Sequence, residues 1–315
     1  MLWYTLRRVA YILPILVGVS IVCFSFVHLA PGDPMSAVMP EFASPELIAQ
    51  IKQAYGFDKP LPIQYIRWLG AVLSGDLGMS TRTARPVWGE LLPAILNTAQ
   101  LAIAGVGISL VLGIGLGVLA AYTRRLATDR AITAFAILGV SLPPYWVGMV
   151  LVAIFAVTLG LLPAMGMGPS TSGGFGLEEL RFLILPALTL AMIPTGIIAR
   201  SVRATVMDVR KEEFIQTLYA NGLSRRRIFL HVVKNTSRSV LAIMGLQVAQ
   251  LLGGSILVET VFAWPGTGYL LNNAIATRDL PLLQGTILVL AFFFVMMNFL
   301  VDLAQPFLDP RIKRQ

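Results

Sequence analysis

The sequence predicts an all-α polytopic membrane protein with six spanning helices, on three observations. Hydrophobic residues make up 56% of the 315-residue chain and charged residues 13%, at a mean hydropathy of +0.77. That is about half the charge of an ordinary soluble domain. Apolar runs long enough to cross a bilayer recur along the chain, separated by Pro, Gly and charged stretches. The basic residues lie beside those runs, in alternate intervals, as expected of cytoplasmic loops.

The elements follow in order. Arg7 and Arg8 precede the apolar run 9–30, the first span. A signal peptide is the alternative reading. The run is too long for a signal core, and no small-residue cleavage site follows it. The segment from His28 to Pro34 breaks the helix, with Asp33 at the exit into water. An external segment then extends to about residue 95. Within it, Ser44-Pro45-Glu46 starts one helix that Gly56 ends. A second amphipathic stretch, 62–74, carries Ile63, Ile66, Leu69 and Leu73 on one face, with Tyr65 and Trp68 suited to a membrane interface. Such helices lie on lipid or pack within an external cap. Gly75-Asp76-Leu77-Gly78 is a turn.

Residues 96–122 form the second span. Gly113 and Gly117, four apart, let another helix approach closely, and Gly107 is expected at a packed position. Arg124, Arg125 and Arg130 then mark a cytoplasmic loop. The third span, 131–162, is interrupted at Ser141-Leu142-Pro143-Pro144. The break either frees backbone carbonyls along a transport path or is a plain kink. A Gly- and Ser-rich external loop, 163–181, leads to the fourth span, 182–199, which ends at Arg200 and Arg203. The fifth span is 240–258. An external turn, Trp264-Pro265-Gly266-Thr267-Gly268, and a short helix at 269–276 follow. The sixth span is 282–304, and the basic tail 305–315 lies inside. The chain thus divides into an N-terminus with first span (1–30), an external segment (31–95), a five-span core (96–304) and a cytoplasmic tail (305–315).

Several functions are excluded. A net charge of +8 suggests nucleic acid, but the basic residues sit beside spans, so no nucleic-acid partner is expected. The single cysteine, Cys23, rules out an intrachain disulfide. His28 and His231 are the only histidines and lie far apart, so no metal site is expected. No Walker A loop, HExxH or Gly-x-Ser-x-Gly occurs. The chain carries no visible apparatus for hydrolysing ATP or peptides, so it is not expected to be an enzyme or to bind a cofactor itself.

The polar interval 208–238 is the remaining feature. Asp208 is placed to cap a helix, with Glu212 and Glu213 near its N-terminus. Phe214 with Leu218 and Ile215 with Tyr219 are spaced to make one apolar face. Gly222 is a natural stop, and Ser224 can cap a second helix through Arg225-Arg226-Arg227. The buried-type residues Phe214, Ile215, Leu218, Ile228 and Phe229 favour a docking knuckle over a merely solvated basic loop.

This stretch, from Glu213 to Gly222, resembles the EAA signature of ABC-transporter permease subunits. His28 to Pro34, Tyr55 to Leu61, Gly75 to Gly78, Ser141-Leu142-Pro143, Glu259-Thr260-Val261-Phe262, Arg278-Asp279 and Asp309-Pro310-Arg311 resemble one branch, the B-type permeases of dipeptide and oligopeptide importers. The resemblance runs nearly end to end. It implies a type I importer permease fold in a bacterial inner membrane, with both termini cytoplasmic. It implies a homologous second permease, cytoplasmic ATPase subunits that bind ATP and Mg, an extracytoplasmic peptide-binding protein and surrounding lipid as partners. It implies ATPase coupling through Glu212, Glu213, Phe214, Thr217, Leu218, Ala220, Gly222, Leu223 and Arg226. It also implies an external gate or binding-protein contact at Asp33, Glu259, Trp264, Pro265, Gly266, Arg278 and Asp279. Leu218, Tyr219 and Asn221 depart from the branch's usual alanine, arginine and lysine, which bears on which ATPase the loop accepts. Short peptides are the cargo the resemblance implies. Nickel complexes or glutathione are carried by relatives, and a non-transporting scaffold or sensor is the rival from another class.

Overall fold

A computed structural model of the protein describes residues 2–29, 59–168 and 177–308. Among these residues the chain is helical, and Met79 and Pro86 form an isolated β-bridge. In chain order the helices are α1 (Leu2–Leu29), α2 (Leu61–Leu73), α3 (Val87–Tyr122), α4 (Leu126–Ser141) and α5 (Pro144–Leu151, continuing as a π-helix over Val152–Thr158). They continue as α6 (Leu177–Lys211), α7 (Glu213–Ala220), α8 (Arg225–Val261), α9 (Thr267–Thr277) and α10 (Leu280–Leu308). The first expected external helix, 44–56, and Asp33 lie outside the described residues.

Among the described residues three helices are long and apolar enough to cross a bilayer: Val87–Tyr122, Glu178–Lys211 and Leu280–Leu300. A fourth crossing is available if α4 and α5 count as one span, bent by 111° at the break. The cause is local. Pro143 and Pro144 supply no N–H, and a residue before proline is driven to extended backbone, where Leu142 sits at φ −83° and ψ 138°. The first expected span falls on α1, a helix of 28 residues. The fifth falls within α8.

The chain divides into two compact units. One comprises Met1–Asn97 and Gly266–Met296, the other Thr98–Pro265 and Met297–Gln315. In the first, Val87, Leu91, Ala274 and Leu282 are buried together. A Cβ on Gly285 would meet Val87 at 2.7 Å, so α10 and the start of α3 need glycine there to close. Asp279 caps α10: its carboxylate accepts the Leu282 amide at 3.2 Å and the Ser80 hydroxyl at 2.5 Å.

In the second unit, α3, α6 and α8 enclose two apolar clusters. One is built on Leu101, Leu185, Leu190, Val258, Phe262 and Trp264. The other is built on Ile198, Val202, Val206, Ile215, Ile228 and Val232. The small-residue face of α3 is real: a Cβ on Gly113 would stand 2.8 Å from Ile198, and one on Gly117 2.6 Å from the Ala199 carbonyl. Gly107 is a correction, because nothing lies within 4 Å of a Cβ placed there. It falls about 200° around α3 from the Gly105 that meets Leu190, so it is on the far side. Helix α4 meets α6 just as closely, with the Ala136 carbonyl against Gly196.

Candidate functional site

The interval 208–238 folds as a helix, a turn and a second helix, with one boundary displaced. Helix α6 does not stop at Arg203. It runs on to Lys211, so Asp208 is a mid-helix residue rather than a cap. Burial of Val202 and Val206 in the second cluster holds those extra turns in place. The chain bends at Glu212, extended at φ −61° and ψ 143°, and α7 begins at Glu213. Ser224 stands at the start of α8 with no side-chain capping bond, so backbone geometry alone sets that start.

The end of α7 is closed by backbone bonds. The Leu223 amide reaches the Leu218 carbonyl at 3.2 Å, and the Gly222 amide reaches the Tyr219 carbonyl at 3.0 Å. This is a Schellman closure, in which the residue after the cap takes the left-handed conformation. Gly222 does so at φ +70°. Glycine has no Cβ to clash there. Leu218 and Leu223, the bonded ends, both pack on the second cluster.

The apolar face of α7 is narrower than its spacing implied. Ile215 is 2% exposed, whereas Phe214 is 39% and Tyr219 54% exposed. A helix of eight residues has one inward face, and Ile215 with Leu218, three apart, occupy it. Leu218 and Leu223 are therefore half-buried anchors. Glu212, Glu213, Phe214, Thr217, Ala220, Gly222 and Arg226 are exposed. The knuckle is pinned from within by Ile215 and Ile228 and presents acids, an aromatic pair and a basic run outward.

Two features at the foot of the knuckle escaped sequence reasoning. The Arg210 guanidinium lies 4.4 Å over the Tyr122 ring and donates to the Ala121 carbonyl. Phe229 of α8 meets Tyr122 edge-on at 5.6 Å, so the ends of α3, α6 and α8 share one aromatic hub. Arg203 donates to Asp129 through both Nε, at 2.6 Å, and Nη2, at 2.7 Å, joining α6 to the first turn of α4. A lone acid in the Arg124–Arg130 interval was the available signal.

The residues expected at an external gate divide by burial. Glu259 and Trp264 are fully buried, and Gly266 and Asp279 are also interior. Glu259 accepts the Thr98 hydroxyl at 2.9 Å. The Trp264 amide closes α8 on the Glu259 carbonyl at 2.9 Å, with Ala263 left-handed at φ +46°. Pro265 and Arg278 are exposed. Arg278 also holds a left-handed backbone, φ +56°, at the end of α9. Among the described residues no cluster of three His, Cys, Asp or Glu side chains is placed to hold a metal.

Comparison with known proteins gives this geometry its context. The family model described as a binding-protein-dependent transport system inner membrane component matches residues 113–314, and its N-terminal counterpart matches residues 1–101. The dipeptide transport system permease protein DppB of Alkalihalophilus pseudofirmus is 37% identical over 332 residues, covering 99% of this chain and all of the relative. The Escherichia coli K12 protein of the same name is 35% identical, with both chains fully covered. A di/tripeptide transport system permease protein of Pseudomonas aeruginosa is 36% identical, again with both chains fully covered. Among solved structures, an inward-facing MetNI methionine ABC transporter superposes with a TM-score of 0.54 at 16% identity, covering 70% of this chain and 96% of that one. That likeness concerns the fold. On the family match and the full-length relatives together, the chain belongs to the binding-protein-dependent transport system inner membrane components, the permease subunits of ABC importers.

Proposed function

We propose that this permease moves short peptides inward and forms half of the translocation pathway with a homologous second permease. Its relatives carry the peptide assignment in their names. The observation that carries the coupling half of the reading is the knuckle. With Ile215 buried and α7 closed by a Schellman pair of backbone bonds, Glu212, Glu213, Phe214, Thr217, Ala220 and Arg226 face outward. A cytoplasmic ATPase that binds ATP and Mg seats there. Leu218 and Leu223 pass its displacement to α6 and α8 through the apolar cluster they share with Val202, Val206 and Val232. Both termini and the knuckle are cytoplasmic in this reading. A peptide-binding protein docks on the external side, where the resemblance assigns Asp33, Pro265 and Arg278; of these, Pro265 and Arg278 are exposed.

Uptake of a labelled dipeptide tests the reading, using vesicles that carry the permease pair, the ATPases and the binding protein. ATP-dependent uptake is expected. Uptake of nickel complexes or glutathione instead would move the cargo assignment. ATP hydrolysis that no cargo stimulates would favour a scaffold.

A further inference from the structure

Helix α2 is inside out by the standard of a soluble protein. Its buried residue is a glutamine, Gln64, whose amide donates to the Lys59 carbonyl at 2.8 Å. Its exposed stripe is apolar: Ile63, Ile66 and Leu73 are 43%, 67% and 79% exposed. Those positions, with Gly70, follow i, i+3, i+7 and i+10 spacing and so share one face. Arg67 is exposed on the flank of the same stripe. In water this burial pattern is unfavourable, because apolar surface is best removed from solvent.

The neighbours of α2 place it against α1. The Tyr65 hydroxyl and Ser20 Oγ are 2.8 Å apart, and the Phe24 ring meets both Tyr65, at 5.5 Å, and Trp68, at 5.7 Å. So α2 lies on α1 between Ser20 and Phe24. Both residues belong to the C-terminal half of the apolar run 9–30, so α2 lies beside a lipid-level part of α1. Helices that lie in a membrane interface bury their apolar face about 5–10 Å into the headgroup and acyl boundary. Gln284, in the second turn of α10, donates to the Cys23 carbonyl at 3.2 Å, which sets the start of a spanning helix at the same level. On α1, Ile21, Val22 and Phe26 are exposed around the contact with α2, so the two apolar surfaces are continuous.

We infer that α2 is an interfacial helix whose Ile63–Ile66–Leu73 stripe sits against lipid acyl chains. Arg67 extends from its flank to a headgroup phosphate, as long basic side chains do at an interface. Tyr65 and Trp68 pin the helix to α1 at the aromatic level of the bilayer. Calling the leaflet the outer one rests on the orientation proposed above. The lipid contact itself does not.

The test places nitroxide labels at Ile63→Cys, Ile66→Cys and Leu73→Cys, each in a Cys23→Ser background. The full-length chain is reconstituted in liposomes of phosphatidylethanolamine and phosphatidylglycerol, alone and with its co-expressed partner subunits. Collision with oxygen, which partitions into lipid, is compared with collision with a water-soluble nickel chelate. Oxygen collisions exceeding chelate collisions at all three positions, in both preparations, are expected. A label at Arg82→Cys, in the exposed loop before α3, is expected to show the reverse. Chelate-dominated collisions at Ile66→Cys and Leu73→Cys would overturn the inference. So would loss of both collisions only on assembly, which would assign the stripe to a protein partner. Inverted orientation would leave these ratios unchanged and appear instead as exposure of Arg82→Cys to the vesicle lumen.

Discussion

Asp129 and Arg203 are joined by two parallel hydrogen bonds, 2.6 and 2.7 Å long, across 74 positions of sequence. A guanidinium matched to a carboxylate in this way fixes orientation as well as distance. The pair ties the first turn of α4 to α6 eight residues before Lys211, where the chain bends into the knuckle. Further along the two helices, Ala136 and Gly196 bring the backbones together. Helix α4 is therefore held to α6 at two points, and motion of the knuckle that moves α6 carries α4 with it.

The first prediction follows from that clamp. Both side chains are partly exposed, at 31% and 22%, so the pair adds at most about 1 kcal/mol to stability. Asp129→Ala and Arg203→Ala are each expected to leave the amount of folded protein near wild type while lowering vesicle uptake several-fold. The exchange Asp129→Arg with Arg203→Asp is expected to recover much of the uptake. Single variants whose effects simply add, with no recovery in the exchange, would show that the pair does not act as a clamp.

The second prediction concerns Asp279, which joins the loop before α3 to the start of α10. Removing an N-cap carboxylate costs about 0.5–2 kcal/mol. Leaving the Ser80 hydroxyl without its acceptor adds about 1–3 kcal/mol. Asp279→Ala is expected to lower the melting temperature clearly and to reduce the monodisperse fraction in detergent. Asp279→Asn keeps an acceptor oxygen and is expected to fall between. Arg278→Gly, which relieves a left-handed backbone, is expected to be neutral or stabilising. An unchanged melting temperature in Asp279→Ala would refute the capping role.

How much of this was readable beforehand depends on the range of the cause. The stop at Gly222, the break at Pro143-Pro144, the helix at 267–277 and the close-packed Gly113 and Gly117 follow from local rules, and the sequence carries them openly. Asp208 misled because its capping preference is local, whereas the burial of Val202 and Val206 that continues α6 past it comes from residues far along the chain. Gly107 misled because glycine content does not say which side of α3 is covered. Glu259 and Asp279 read as external polar residues. Both are buried, and their hydroxyl partners Thr98 and Ser80 lie more than 150 positions away. Asp129 was legible only as an acid among arginines, with nothing to name Arg203 as its partner.

The last prediction separates coupling from packing by comparing two glycines. Gly222 sits at φ +70° with nothing within 4 Å of a would-be Cβ. A side chain there meets no neighbour, so the whole cost is backbone strain, about 1–2 kcal/mol for an L-residue in the left-handed region. A β-branched residue bears the most, and asparagine the least. The strain falls on the turn between α7 and α8, so it re-aims α7 while the close contacts of α3 with α6 at Gly113 and Gly117 stay intact. Gly222→Val is therefore expected to insert at wild-type levels but to lose most ATPase co-purification and uptake, while Gly222→Asn keeps both. Gly117 is the opposite case. Its Cβ would stand 2.6 Å from the Ala199 carbonyl and 2.7 Å from Val202, so α3 and α6 must part to admit a side chain. Gly117→Val is expected to lower the amount of protein itself, with whatever remains still binding ATPase. Wild-type uptake and ATPase retention in Gly222→Val would return the interval 208–238 to a solvated basic loop.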